Sequence, residues 1–237
     1  NNIRIIIKIM RVLVVASHPD DEILGCGGTI AKHVESGDEV FNLILAEGAT
    51  SRQVKRDREK IAEYLNDLAN NAIEAGKVLG VKNVDLLNFP DNRLDSIDRI
   101  EIVKVIENKI KLYEPDLIYT HHSGDVNIDH RRVHEALITS CRPLPGNKVK
   151  RIVSFETPSS TEWQPPDSNI FFKPNWFVDI SEHINKKIKA LELYNSEMRE
   201  FPHPRSIENI VNLAKVRGAQ VGLKYAEAFV LLRNIEF

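Results

Sequence analysis

Short runs of aliphatic and β-branched residues recur along this chain, each followed by a stretch with helical patterning. Val12–Ala16 is apolar at every position, and Val40–Leu45, Val84–Leu87, Leu117–Thr120 and Ile152–Phe155 are close to it. Strands that are apolar without alternation are buried on both faces, as in a parallel sheet covered by helices. The intervening stretches fit that reading. Thr29 to Ser36 reads as a helix ended by Gly37, and Arg52 to Leu79 as a charged helical stretch ended by Gly80, with a break near Asn70-Asn71. Ile97 to Tyr113 stops before Pro115, and His130 to Cys141 is stopped by Pro143. A βαβα order predicts one α/β domain, a three-layer sandwich with a mostly parallel sheet. Ligands on such sheets sit at the carboxyl ends of the strands.

The second half is less regular. Thr157 to Pro174 reads as a long loop rich in Pro, Ser and Asn, and loops of that length are often functional. Trp176–Ile180 reads as a strand, Glu182 to Met198 as a helix, and Phe201–Arg205 as a polar loop. Ser206 then reads as the N-cap of a helix to Val216, and Ala228–Leu232 as a last strand.

Composition narrows the class of partner. The formal net charge is -2 over 237 residues, which gives no argument for binding nucleic acid or an anionic membrane. No apolar run reaches the roughly 20 residues that a membrane-spanning helix needs. The two cysteines, Cys26 and Cys141, have no CxxC partner, which excludes a disulfide framework and fits a reduced, cytoplasmic setting. Asn1 to Met10 is Ile-rich but carries Arg4 and Lys8 and lacks a small-residue cleavage site, a poor fit to a signal peptide. Residues 1–9 are expected to be either a non-native extension or an extra edge strand, with the domain proper at 10–237.

Two polar clusters sit where the first and fourth strands end. Ser17-His18-Pro19-Asp20-Asp21-Glu22 follows Val12–Ala16, and Asp125-Val126-Asn127-Ile128-Asp129-His130 follows Leu117–Thr120. Acidic residues at the end of a buried strand are costly unless they do chemistry. His18 and Asp21, three apart in a turn, can converge on one ion. Imidazole and carboxylate suit zinc, and a catalytic zinc site needs three protein ligands plus an open position. His130 is the best third ligand, with Asp129 placed to support it. Asp20, between the first two, fits the role of general base, and Glu22 the role of orienting His18 from its other nitrogen. This arrangement reads as a metal-dependent hydrolase needing no nucleophilic Ser or Cys. The run Gly25-Cys26-Gly27-Gly28 lacks the GxGxxG order of a dinucleotide loop, and reads instead as allowing close helix packing beside the metal.

His18-Pro19-Asp20-Asp21-Glu22 followed by Gly25-Cys26-Gly27-Gly28-Thr29 resembles the signature of the PIG-L/LmbE-like zinc deacetylases, and Asp129-His130 is similar to that family's second motif. Softer similarities run through Leu79-Gly80-Val81, Pro90-Asp91-Asn92, the loop from Glu156 to Trp163, His203-Pro204-Arg205-Ser206, Arg217-Gly218 and Tyr225–Phe229. The resemblance implies a Rossmann-like, LmbE-like fold and one zinc ion per chain held by His18, Asp21 and His130. It further implies Asp20 as general base and an N-acetylglucosamine-type conjugate or sugar nucleotide as substrate. A homo-oligomer, trimer or hexamer, is also implied. One position departs from the family pattern: Asn127 stands where many members have His, and an amide cannot deliver a proton at neutral pH. Asp20 itself, or His203 in the polar loop, is the expected source of that proton. Arg205 and Arg93 are expected either to bind substrate or to pair with carboxylates of the fold. Trp163 is open to two readings, stacking on a sugar or folding onto the core. His134 reads as a supporting or surface residue, and the direction of His121 and His122 is open. Two other functions fit the same residues: a zinc amidase for a larger acyl or cysteinyl amide, and a non-catalytic nucleotide-sugar binding module.

Overall fold

The computed structural model describes residues 9–166 and 169–236, so the expectation for the N-terminal extension lies, but for Ile9, outside the described residues. The apolar runs form β1 (Arg11–Ala16), β2 (Glu39–Ala46), β3 (Asn83–Phe89), β4 (Leu117–His121) and β5 (Arg151–Phe155). Two further strands, β6 (Trp176–Asp179) and β7 (Ala226–Asn234), complete a seven-stranded sheet ordered β3-β2-β1-β4-β5-β7-β6. The first five strands are parallel, and β7 runs antiparallel to both β5 and β6.

Helices cover both faces, and the side-chain period of two in the strands divides the core accordingly. Val12, Val14 and Ala16 pack with α1 (Asp21–Glu35), α2 (Ala62–Leu79), α5 (Ile184–Glu192) and α6 (Ile207–Ala219). Leu13 and Val15 face α3 (Arg99–Tyr113) and α4 (Ile128–Ser140) through Ile102, Val103, Ile106, Val133 and Leu137. This is the mostly parallel three-layer α/β sandwich that the apolar runs predict. The strand order reverses direction at β1, so a crevice opens between the carboxyl ends of β1 and β4. Both polar clusters lie at those two ends.

Three element boundaries differ from the sequence reading by more than a single turn. Helix α1 begins at Asp21 rather than Thr29, so the acidic motif forms its first turn. The glycines are helical there because nothing larger fits: a Cβ on Gly25 would lie 2.3 Å from the Phe155 ring, and one on Gly28 2.9 Å from Ile180. Helix α2 starts only at Ala62 and runs unbroken through Asn70-Asn71. The segment before it is drawn into loop and 3-10 turns, pinned by the buried Glu47 carboxylate, which pairs with Arg56 and Arg58 at 2.7 Å each. Helix α5 ends at Glu192, short of Met198. The residues beyond it turn to place Tyr194 and Glu197 against the site.

Candidate active site

One cavity of about 270 Å³ sits at the crevice, walled by residues following β1, β2, β3, β4 and β5 and by the turn before α6. His18, Asp20, Asp21, Asp91, Asn92, Asn127, His130, Ser160, Glu197 and Arg205 all line it. Backbone strain is concentrated on this wall. Of the five non-glycine residues with positive φ among those described, four line the cavity: Asp20 (φ 115), Ala49 (φ 62), Asn92 (φ 52) and Ser159 (φ 71). Such conformations cost of order 1–3 kcal/mol each and gather where a surrounding structure forces them for function.

Three donors converge at the base of the cavity. The Asp21 carboxylate Oδ2 lies 3.1 Å from His18 Nδ1 and 3.2 Å from His130 Nε2. Donor atoms of all three residues lie within 4.8 Å of one another. Tetrahedral bonds of about 2.0–2.1 Å require ligand atoms roughly 3.3 Å apart, so the set is dimensioned for a zinc-sized ion. A second observation agrees. Both ring nitrogens of His130 are buried without hydrogen-bond geometry to any partner, so the carboxylates beside them approach out of line. A buried imidazole left in that state is costly unless a cation takes its lone pair.

Carboxylates hold the opposite edges of the two imidazoles. His18 Nε2 lies 3.0 Å from Asp129 and 3.2 Å from Asp91. Asp129 is itself fixed by the N–H groups of Asn92 (2.7 Å) and Leu94 (2.9 Å). His130 Nδ1 lies 3.1 Å from Asp125, whose carboxylate also accepts from the Ser160 hydroxyl and, at 2.7 Å, from that of Thr161. His121 packs flat on His130, ring centroids 3.8 Å apart, and its Nε2 accepts the Ser17 N–H at 2.8 Å. Burial and the neighbouring His130 hold His121 well below the ordinary histidine range, so it stays neutral. His134 Nδ1 bonds the His121 carbonyl at the end of β4, and His122 Nε2 bonds the Ile170 carbonyl in a loop. Replacing Asp129 by Asn removes the nearer of the two carboxylates at the His18 ring and leaves Asp91 alone there. Metal affinity is expected to fall about 10- to 100-fold, read by chelator competition; an unchanged affinity would remove Asp129 from the site.

Asp20 lies between His18 and Asp21 in sequence but faces the cavity separately. Its carboxylate is 3.2 Å from Arg205 Nη1, which also reaches Glu197 at 3.5 Å. Burial, then the Asp21 charge, pushes the Asp20 carboxyl well above the usual range, and Arg205 opposes this. Glu22 does not touch His18 as the sequence suggested. Its carboxylate accepts from the Asp20 N–H at 3.1 Å and from the Tyr194 hydroxyl at 2.6 Å, so it braces the strained backbone of Asp20 instead. Burial raises Glu22 to about 7.

The remaining sequence candidates divide. Asn127 caps α4, accepting the Asp129 N–H at 2.8 Å, and donates to Asn92 Oδ1 at 2.9 Å. Arg205 lines the cavity, whereas Arg93 and His203 do not. His203 Nδ1 accepts the Arg205 N–H at 3.1 Å, which makes it a brace for the arginine. Sequence reasoning did not single out Asp91, Asp125, Glu197 or Tyr194 for roles. Pro90-Asp91-Asn92 and the Asp125 cluster were visible as motifs, but nothing local showed which ring each carboxylate meets.

Comparison with known proteins places this geometry. Residues 13–141 match the model of the PIG-L family, described as GlcNAc-PI de-N-acetylase. The chain is 30% identical to diacetylchitobiose deacetylase of Thermococcus kodakarensis, across 96% of this chain and 85% of that protein. It is 25% identical to a probable N-acetyl-alpha-D-glucosaminyl L-malate deacetylase 2 of Bacillus anthracis, across 78% of this chain and 80% of that one. In fold, it resembles the solved N,N'-diacetylchitobiose deacetylase of Pyrococcus horikoshii with a TM-score of 0.75 at 23% identity, over 94% of this chain and 84% of the other. The matched region spans both polar clusters that line the cavity, and on that match the chain belongs to the PIG-L family.

Proposed function

We propose that this protein is a zinc-dependent N-deacetylase that removes the acetyl group from an N-acetylglucosamine-type amino sugar or its conjugate. The observation that carries this reading is the convergence of His18, Asp21 and His130 in the cavity that also holds the buried Asp20 carboxylate. The relatives named above are deacetylases named for diacetylchitobiose and for an N-acetyl-alpha-D-glucosaminyl conjugate, and the family is described by GlcNAc-PI, which supports the sugar class.

His18, Asp21 and His130 would hold one zinc ion, and Asp91, Asp125 and Asp129 would fix the two imidazoles. Zinc bound there would supply a Lewis acid for the amide carbonyl and lower the pKa of a water to about 7. Asp20 takes the proton lost by water as it adds to the carbonyl, and returns it to the departing amine. An elevated Asp20 pKa suits both steps, since the carboxyl then holds the proton readily. Asn127 cannot deliver a proton, so this return rests on Asp20. Arg205 holds the carboxylate of Asp20 from the cavity wall. His203, braced behind Arg205 and outside the wall, is not needed as an acid in this scheme.

Acetate release from a panel of N-acetylglucosamine conjugates and sugar nucleotides by zinc-loaded protein tests the reading. Chelator-sensitive release supports it. Zinc binding without release from any sugar would favour a larger acyl or cysteinyl amide as substrate. Neither zinc nor release would favour a binding module.

Zinc uptake should also depend steeply on pH. Burial alone would lower His130, but Asp21 and Asp125 hold it up at about 9, and Asp129, Asp21 and Asp91 raise His18 likewise against burial. Zinc takes only the deprotonated imidazole, so each imidazole must lose a proton on binding. Below about pH 9, where His130 gains its proton, the affinity is therefore expected to fall on acidification by up to about tenfold per pH unit, and more steeply where His18 is protonated as well. Competition titrations at about pH 6 and about pH 8 measure this; equal affinities at the two would remove His130 and His18 from the ligand set.

A further inference from the structure

Among the described residues, two guanidiniums line the cavity, those of Arg52 and Arg205. A wall with two free guanidiniums would take a phosphate or carboxylate bidentately. Neither is free. Arg205 Nη1 lies 3.2 Å from Asp20 and 3.5 Å from Glu197 Oε2, and Arg52 Nη2 lies 2.6 Å from that same oxygen. One carboxylate therefore answers both cations.

The fold builds a socket for that carboxylate from separate segments. Arg52 ends the turn Thr50–Arg52 after β2, and Arg205 directly precedes the N-cap of α6. Beyond α5 the chain turns, with the Glu197 N–H bonded to the Tyr194 carbonyl at 2.8 Å, and the Glu197 side chain is left only 7% exposed. Tyr64 on α2 donates its hydroxyl to Glu197 Oε1 at 2.6 Å and accepts from Arg52 Nη1 at 3.1 Å. Burial acts to raise the Glu197 carboxyl, but the Tyr64 hydroxyl and the two guanidiniums outweigh it and hold the group below its ordinary range, so it stays ionised at neutral pH. A buried carboxylate is costly, and the chemistry proposed for Asp20 makes no use of this one. Its effect falls on what the wall can bind. An anionic group entering here would have to displace a carboxylate that is already desolvated and hydrogen-bonded, and would meet the charge of Glu197 at close range. Hydroxyl groups meet no such barrier, and the half-exposed Arg52 keeps further N–H groups to offer them.

We propose that Glu197 is a specificity-determining residue: it cancels the charge of Arg52 and Arg205, so that the cavity wall accepts hydroxyl groups and disfavours a phosphate or carboxylate placed against it. This inference rests on the deacetylase reading only for the identity of the sugar; the charge balance of the wall is tested by binding as well.

Zinc-loaded wild type, Glu197→Gln, Arg52→Gln and Tyr64→Phe are compared on N-acetylglucosamine and on its 1-phosphate and 6-phosphate esters. The readout is the ratio of kcat/KM for an ester to that for the neutral sugar. Zinc is common to all four proteins, so a change in the ratio reports the wall. Glu197→Gln, which leaves the two guanidiniums short of a counter-charge, is expected to raise the ratio about tenfold for at least one ester. Arg52→Gln leaves Glu197 in excess and should lower it. Tyr64→Phe removes a hydrogen bond but no charge and should leave it within about twofold. A merely structural role would slow all three sugars together and leave the ratio unmoved. An unmoved ratio in Glu197→Gln for both esters overturns the assignment, as does an equal shift in Tyr64→Phe. Should Glu197→Gln fail to fold, an unmoved or raised ratio in Arg52→Gln overturns it instead. Calorimetric titration with the same three sugars reads the ratio as Kd. The expected shifts in Kd with no acetate released would support Glu197 and remove the deacetylase reading alone. No shift in Kd or in kcat/KM overturns the role of Glu197 whatever the activity.

Discussion

Asp20→Asn is expected to reduce kcat for acetate release about 10²- to 10⁴-fold, the usual worth of a positioned general base, with zinc stoichiometry unchanged. The substitution is chosen for the backbone. Asp20 sits at φ 115, and Asn tolerates positive φ better than Ala does. Asn also keeps an oxygen for Arg205, 3.2 Å away in the native site, and an N–H for the Glu22 carboxylate. What it removes is the capacity to hold a proton. KM should change little, because the loss falls on the transition state. Zinc content measured on the same sample separates this outcome from damage to the neighbouring Asp21, which the proposed site uses as a ligand. Activity within about tenfold of wild type would remove Asp20 as base and reopen the wall for another proton acceptor.

How far the site was legible in the sequence follows from which interactions are local. His18, Asp20 and Asp21 share one turn between β1 and α1, and His130 sits in the first turn of α4, so position at strand ends was enough to bring them together. The strand runs were equally plain, because a strand buried on both faces has no polar positions to blur it. The supporting carboxylates were not legible. Asp91 follows β3, and which imidazole it meets depends on the β3-β2-β1-β4 order, which no single motif states. Glu22 was misread for a different reason. Once α1 starts at Asp21, Glu22 is turned toward Tyr194 rather than His18, and helix onset among glycines is poorly signalled by propensity. The late start of α2 has the same character: a buried Glu47 paired to two arginines outweighs the helical pattern of the charged stretch.

Lys187→Met should destabilise the fold by about 3–5 kcal/mol, lowering Tm by roughly 6–20 °C for a domain of this size. The reason lies in the glycine run. Helix α1 is broken at Cys26, where φ is -147 and ψ 24, so the helix that carries Asp21 consists of two merged pieces. Glu227 on β7 takes the N–H groups of Gly28 and Thr29 at 3.0 and 2.7 Å. Lys187 on α5 donates to the Leu24 carbonyl at 2.8 Å and to Glu227 at 2.6 Å. One buried ion pair thus serves the backbone groups on both sides of the break and ties α1 to β7 and α5. Both side chains are about 5% exposed, so removing the cation strands a carboxylate in the core. Glu227→Gln should also destabilise, since it strands the ammonium instead. The double variant Lys187→Met/Glu227→Gln is expected to be less destabilised than the sum of the singles, with a coupling of about 0.5–3 kcal/mol. Thermal melts of the four proteins, metal-free, decide it. Additive effects would mean that the pair is incidental and that packing of Gly25 and Gly28 against Phe155 and Ile180 holds the broken helix by itself.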